Sequence, residues 1–177
     1  MKNLELKFTG EGSNIDNMKD FYVETLIQKD TYYNTTRGRL KLRQEKGKES
    51  YVIYYERPDS EEEKISNYKF YPIENTQLFK EVFNNGLTKE IIVKKERKLY
   101  IYKNARIHFD NVKDLGNFIE IEVVMKPESD ESDAKIVMDE ILSLLNVQNL
   151  NVIKCGYREL LLKNNSLHKD LKYYSSQ

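Results

Sequence analysis

The sequence has a single cysteine, Cys155, among 177 residues, so it can form no intramolecular disulfide framework, and a reducing compartment is expected. It has no excess of either charge: lysine plus arginine and aspartate plus glutamate each total 29. A generic binder of nucleic acid or of a membrane surface would carry a basic excess, so neither is expected as a partner. Long apolar runs are missing too. The opening "MKNLELKF" has no apolar signal core and no later window approaches a membrane span, so a cytoplasmic protein is expected. Internal repeats, low-complexity tracts and domain-splitting linkers are also lacking. The length suits one domain, over residues 1–163, followed by a polar tail over 164–177.

What the sequence does have is alternation. Strands are predicted at Asn3–Phe8, Asp30–Asn34, Gly38–Gln44, Tyr51–Arg57, Ile65–Tyr71, Ile91–Glu96, Leu99–Lys103, Arg106–Asp110 and Phe118–Met125. Turn chemistry separates several of them, as in "EKGKES", "RPDSEEE", "DLGN" and "KPESD". Helices are predicted at Met18–Leu26, at Asn75–Asn85 after a capping position, and at Asp133–Leu145. Tyr157–Leu162 reads as either helix or strand. Roughly eight strands with few helices point to an α+β, mainly β fold, an antiparallel sheet that is closed or nearly so.

Side chains on a strand alternate between faces, so each strand can be sorted. In "GRLKLR", Arg39, Lys41 and Arg43 share one face and Leu40 and Leu42 the other. In "NLELK", Asn3, Glu5 and Lys7 stand opposite Leu4, Leu6 and Phe8. Lys95 and Arg97 share a face, as do Arg106, His108 and Asp110, and as do Glu120 and Glu122. Two architectures satisfy this pattern. An open sheet can pack its leucines on helices and show its charges to water. Alternatively, a barrel can hold the charges inside and its apolar faces outward. Clustered Arg and Lys supply forked and point donors for a polyphosphate, and clustered carboxylates bind Mg²⁺ or Mn²⁺, so the charged faces together suit a metal–polyphosphate site.

The ordered segments "NLELKF", "DTYYNTTRGRLKLRQ", "YYERPDSEEEKISNY", "KKERKLYIYKNARIHFDNVKDLGNFIEIEVV" and "GYRELLL" resemble the CYTH superfamily. These triphosphate tunnel metalloenzymes include class IV adenylyl cyclases, thiamine triphosphatases and inorganic triphosphatases. The likeness runs from about Asn3 to Leu162 and implies a closed antiparallel eight-stranded β-barrel with a few flanking helices. By position, Glu5 and Lys7 match the end of an N-terminal ExExK, whose first Glu is Asn3 here. Arg39, Lys41 and Arg43 match a basic third strand, Lys95 and Arg97 a K-x-R strand, Arg106 and Asp110 an R-x-H-x-D strand, and Glu120 and Glu122 an ExE strand.

The resemblance implies that Lys7, Arg39, Lys41, Arg43, Lys95, Arg97 and Arg106 hold phosphates, with Arg57 and Lys64 standing in for a lysine that is not evident after the fourth strand. It implies metal ligation by Glu5, Asp110, Glu120 and Glu122, and a catalytic set of Glu5, Lys7, Arg43 and Arg97. The expected cofactor is Mg²⁺ or Mn²⁺. The expected partner is a small triphosphate (ATP, thiamine triphosphate or tripolyphosphate), bound by a monomer or homodimer. Cleavage of a P–O–P bond by water is favoured; cyclisation of ATP to cyclic AMP and pyrophosphate is the alternative, and a non-catalytic polyphosphate- or nucleotide-binding module is the reading from another class. His108 reads as a hydrogen-bonding wall residue, Cys155 as a buried small hydrophobe. Arg158 reads as either a surface charge or a residue closing one mouth.

Overall fold

The computed structural model describes residues 2–10, 14–56, 67–125, 131–147 and 149–174. The strands are β1 (Lys2–Thr9), β2 (Tyr22–Tyr33), β3 (Arg39–Glu45), β4 (Ser50–Glu56), β5 (Asn67–Ile73), β6 (Lys89–Tyr102), β7 (Ala105–Val112) and β8 (Gly116–Met125). Helices α1 (Thr76–Gly86), α2 (Glu131–Leu145) and α3 (Tyr157–Tyr174) and a 3₁₀ segment at Ile15–Phe21 complete the fold. The carboxamide of Asn75 accepts the Leu78 backbone N–H at 2.9 Å, so Asn75, read from the sequence as the first helical residue, is itself the cap of α1. Among the described residues no helix is long and apolar enough to cross a membrane.

All eight strands join one antiparallel sheet in the order β1-β8-β7-β6-β2-β3-β4-β5. The expected closed barrel is therefore not formed by hydrogen bonds: β1 and β5 end the ladder and, among the described residues, do not pair with each other. The reason lies at the edge of β1. Its second half spends its backbone groups on the segment after α2, through Thr9 N to Asn151 O (3.0 Å), Ile153 N to Lys7 O (2.8 Å) and a bridge between Phe8 and Val152.

The sheet is curled rather than flat, and its two faces are unlike. Leu4, Phe8, Ile107, Ile119, Ile121 and Val123 point outward from β1, β8 and β7 and pack under Met138, Ile141 and Leu145 of α2 and under Met18. Ile119, Ile121, Ile141 and Leu145 have no exposed surface, each contributing about 2 kcal/mol by burial. The inner face carries the charges.

Three local expectations change. The helix predicted at Met18–Leu26 ends as the 3₁₀ segment at Phe21, and β2 begins at Tyr22. Tyr22, Val23, Thr25 and Ile27 suit a pleated surface, and β6 offers them a partner from Tyr22↔Tyr100 onward. The two strands predicted around Ile91–Lys103 are one strand, because alternation continues through Arg97 and Lys98. Tyr157 opens a helix that runs on to Tyr174, through most of the segment read as tail.

Candidate active site

The curl encloses a cavity of about 370 Å³. Its walls come from β1, β2, β3, β4, β6, β7 and β8, with Gly156 and Tyr157 at the start of α3 closing one side. Asn3, Glu5, Lys7, Lys41, Arg43, Lys95, Arg97, Arg106, Glu120 and Glu122 all line it. Arg57 and Lys64 lie outside the described residues.

Register sets the acidic wall. Across β1 and β8, Glu5 stands opposite Glu122 and Lys7 opposite Glu120; across β7 and β8, Arg106 stands opposite Glu122 and His108 opposite Glu120. Lys7 Nζ meets Glu120 at 2.8 Å and Glu5 at 3.9 Å. Arg106 donates to Glu122 at 2.9 and 3.0 Å. His108 Nδ1 lies 3.5 Å from Glu120 and 3.9 Å from Glu122. Ligand atoms of His108, Glu120 and Glu122 fall within 4.8 Å of one another. Two carboxylates directly opposite across a ladder repel, and Glu5–Glu122 is such a pair. Carboxylate oxygens with one imidazole form a donor set that suits a hard divalent ion such as Mg²⁺ or Mn²⁺.

Asp110 sits elsewhere. Arg97 donates to both of its oxygens at 2.6 Å and the Tyr157 hydroxyl donates to Oδ2 at 2.7 Å. Arg97 also reaches Glu120 at 2.5 Å. The carboxylate of Asp110 is thus wrapped in donors rather than turned to the acidic group. Burial alone would raise its pKa, but Arg97 and Lys95 outweigh burial and hold it at about 2. Glu120 is likewise held well below the carboxylate range, because Lys7 and Arg97 outweigh its burial. Burial, then Arg97, pushes the His108 imidazole down from its ordinary value.

The opposite wall is basic and is organised by a residue the alternation pattern did not flag. Asp30 of β2, 2% exposed, accepts from Lys41 Nζ at 2.8 Å and from Arg43 at 2.8 and 2.7 Å. It faces Arg43 in register, and these two cations outweigh its burial to keep it well below the usual range. Sorting the faces of Tyr22–Tyr33 as one strand would have found it beside Gln28 and Tyr32; the predicted strand began at Asp30 itself, too late to show that alternation. The rings of Tyr32 and Tyr55 lie 5.4 and 5.8 Å from Lys41 Nζ.

Tyr157 is the second missed residue. Its ring lies 4.3 Å from Lys7 Nζ and 5.2 Å from Lys95 Nζ, so the start of α3 seats two cations while its hydroxyl seats Asp110. Lys95 is buried between Arg97 and Asp110, and burial followed by Arg97 lowers its pKa to about 7. Arg39 stands apart from the cavity lining. It pairs with Glu159 of α3 at 3.0 Å, over the ring of Tyr55. Arg158 lies outside the cavity lining and pairs with Glu90 of β6 and with Glu159. Cys155 is half-buried.

The chain resembles solved structures along nearly its full length. A conserved hypothetical protein from Pyrococcus furiosus superposes with a TM-score of 0.76 at 24% identity, covering 89% of this chain and 99% of that one. The PH1012 protein of Pyrococcus horikoshii OT3 gives 0.77 at 23% identity, covering 90% and 99%. At these identities the likeness is one of fold. In sequence, a Methanocaldococcus jannaschii protein named "Putative adenylate cyclase MJ0240" is 27% identical over 150 residues, spanning 78% of this chain and 83% of the relative. The CYTH domain profile matches residues 1–157, which carry every strand of the sheet and both walls of the cavity, and the chain belongs to the CYTH domain family.

Proposed function

We propose that the cavity binds a triphosphate together with Mg²⁺ or Mn²⁺, and that the protein cleaves a P–O–P bond by attack of water. One observation carries this reading: Lys41, Arg43, Lys95 and Arg97 converge on the cavity from one side, and His108, Glu120, Glu122 and Glu5 converge from the other. The basic wall offers forked donors from Arg43 and Arg97 and point donors from Lys41 and Lys95, the types that grip successive phosphate oxygens. Asp30 and Asp110 hold Arg43 and Arg97 in place before substrate arrives, so little ordering is left for the moment of binding. Glu120, Glu122, His108 and Glu5 would hold the divalent ion, which when bound supplies neutralising charge to the phosphate oxygens. Asn3, buried in the cavity wall where the family pattern has a glutamate, gives this site one carboxylate fewer. Lys7 bonds to Glu120 and keeps that carboxylate oriented.

A cyclase is the second reading, favoured by the printed name of the M. jannaschii relative. There a ribose 3′-hydroxyl would replace water and pyrophosphate would leave. The same wall would serve both reactions. Incubation with tripolyphosphate, ATP and thiamine triphosphate, each with Mg²⁺ or Mn²⁺, separates the readings. Orthophosphate release supports hydrolysis, and cyclic AMP with pyrophosphate supports the cyclase. Tight binding without turnover supports a binding module. No binding of any triphosphate overturns the proposal.

A further inference from the structure

Helix α2 buries the outer face of the sheet over β1, β7 and β8, whereas on β2 and β6 the outward-facing Ile27 and Ile92 stay 47% and 41% exposed. Lys29 and Lys94 stand opposite each other on that same outer face, in a groove of about 620 Å³ that has Ile27 in its lining. More lysines rim it. The turn after β3 brings Lys46, its N–H donating to Ile27 O at 3.0 Å, and the turn after β7 brings Lys113, its N–H donating to Lys94 O at 2.9 Å. Helix α1 contributes Lys80. Among the described residues, none of these five lysines has an ion-pair partner. Glu45 and Glu96 lie among them, and Glu45 already accepts from Gln28 at 2.7 Å.

Like charges opposite each other on a ladder destabilise it, and a chain with balanced charge has no need to gather five unpaired lysines. The ammonium of Lys29 registers that cost: burial, then Lys80, Lys94 and Lys89, lower its pKa. An acidic partner relieves it, and the rest of the lining says which kind. No arginine offers a fork for phosphate, and no aromatic ring offers a base a platform. The carboxylates of Glu45 and Glu96 interrupt the positive charge, which disfavours a chain charged at every unit. A polypeptide carries its carboxylates singly, and its main-chain amides suit the carboxamides of Gln44 and Asn111. A bilayer surface is flat and would meet the rim alone. A concave floor with an exposed isoleucine suits one chain with an apolar side chain among its acids.

We infer that this groove docks an acidic polypeptide segment of a partner protein, with carboxylates on the rim lysines and an apolar side chain on Ile27. The docking is separate from the proposed reaction, which belongs to the other face of the β2–β6 wall. It makes the outer face a site of assembly and leaves the cavity free.

The test uses two labelled probes: a glutamate-rich peptide with interspersed leucines, and a control of equal charge with serine at the leucine positions. Fluorescence anisotropy follows their binding to the full-length protein, to a Lys46→Gln, Lys94→Gln, Lys113→Gln variant and to Ile27→Ser. Thermal unfolding checks that each variant folds, and Lys113→Gln alone replaces the triple variant if that one does not. The triple variant is expected to bind both peptides at least about ten-fold more weakly than the wild type. The wild type is expected to prefer the leucine peptide by about five-fold, and Ile27→Ser to remove that preference. Wild-type affinity in the folded lysine variant overturns the inference, as does a wild type that binds neither peptide. A leucine preference that survives Ile27→Ser also overturns it, since the apolar seat then lies elsewhere. Phosphatidylserine vesicles that bind more tightly than the leucine peptide, through the same lysines, overturn it in favour of a membrane surface. Single-stranded RNA that does so overturns it in favour of nucleic acid.

Discussion

Arg97 and Asp110 face each other across β6 and β7 and share two hydrogen bonds of 2.6 Å, with the Asp110 side chain fully buried. Arg97 lines the cavity, and its pairing with Asp110 fixes the side chain that also grips Glu120. Asp110→Asn leaves Arg97 short of a charge partner in a buried site, so a loss of about 3 kcal/mol in urea unfolding at pH 7 is expected. The pH dependence has a definite sign. Asp110 titrates near 2 when folded and near 4 when unfolded, so the folded state binds fewer protons between those values. Its stabilisation, about 2 kcal/mol, is present above pH 4 and is lost as pH falls from 4 towards 2. An Asn variant with a wild-type urea midpoint at pH 7 and the same acid limb would show the pair to be dispensable.

Arg43 and Arg39 should part company, although they share a strand face. Arg43 lines the cavity, whereas Arg39 is engaged with Glu159 of α3. Arg43→Ala is expected to weaken triphosphate binding by at least about 1.5 to 3 kcal/mol, the worth of charge-assisted hydrogen bonds. Arg39→Ala is expected to cost less than 1 kcal/mol of affinity and to act on the docking of α3. Calorimetric titration of tripolyphosphate into both variants decides it; equal losses would return Arg39 to the proposed phosphate-binding set.

Glu122→Gln is the direct probe of the proposed metal set. Glu122 is bonded to Arg106 and is more exposed than Glu120, which holds both Lys7 and Arg97, so its loss should spare the fold. Mn²⁺ affinity should drop by at least about ten-fold, measured by electron paramagnetic resonance of the free ion. Wild-type Mn²⁺ binding in the variant would remove Glu122 from the set.

Lys95 should report substrate entry as a proton. Its pKa of about 7 leaves it partly neutral at physiological pH, because burial and Arg97 disfavour the ammonium. A polyanion in the cavity favours the charged form, so binding takes up a proton. Affinity then falls by up to about ten-fold per pH unit above 7. Titration calorimetry in buffers of different ionisation enthalpy reads the uptake, and Lys95→Arg should abolish it. Uptake that persists in Lys95→Arg would assign the proton to another group.

The inner set of Lys7, Lys41, Arg43, Lys95, Arg97, Arg106, Glu120 and Glu122 was legible because strand alternation is strictly local: period two assigns a face whatever the partner strand. Helix α2 was legible for the same reason, its apolar stripe at helical spacing being complete within one segment. The beginning of β2 was not, since Tyr22–Leu26 becomes a strand only because β6 lies beside it.

By itself, then, the sequence determined which side chains share a face, and with them the separation of leucines from charges. It did not determine which faces meet. Register across two ladders sets Glu5 against Glu122, Lys7 against Glu120 and Asp30 against Arg43. Packing brings Tyr157, well over a hundred positions from Lys7, beneath its ammonium. The edge of β1 is capped by Asn151–Ile153, so the sheet stays an open curl. Those outcomes depend on hydrogen bonds between distant segments, whose free energy exists only once the chain has closed on itself.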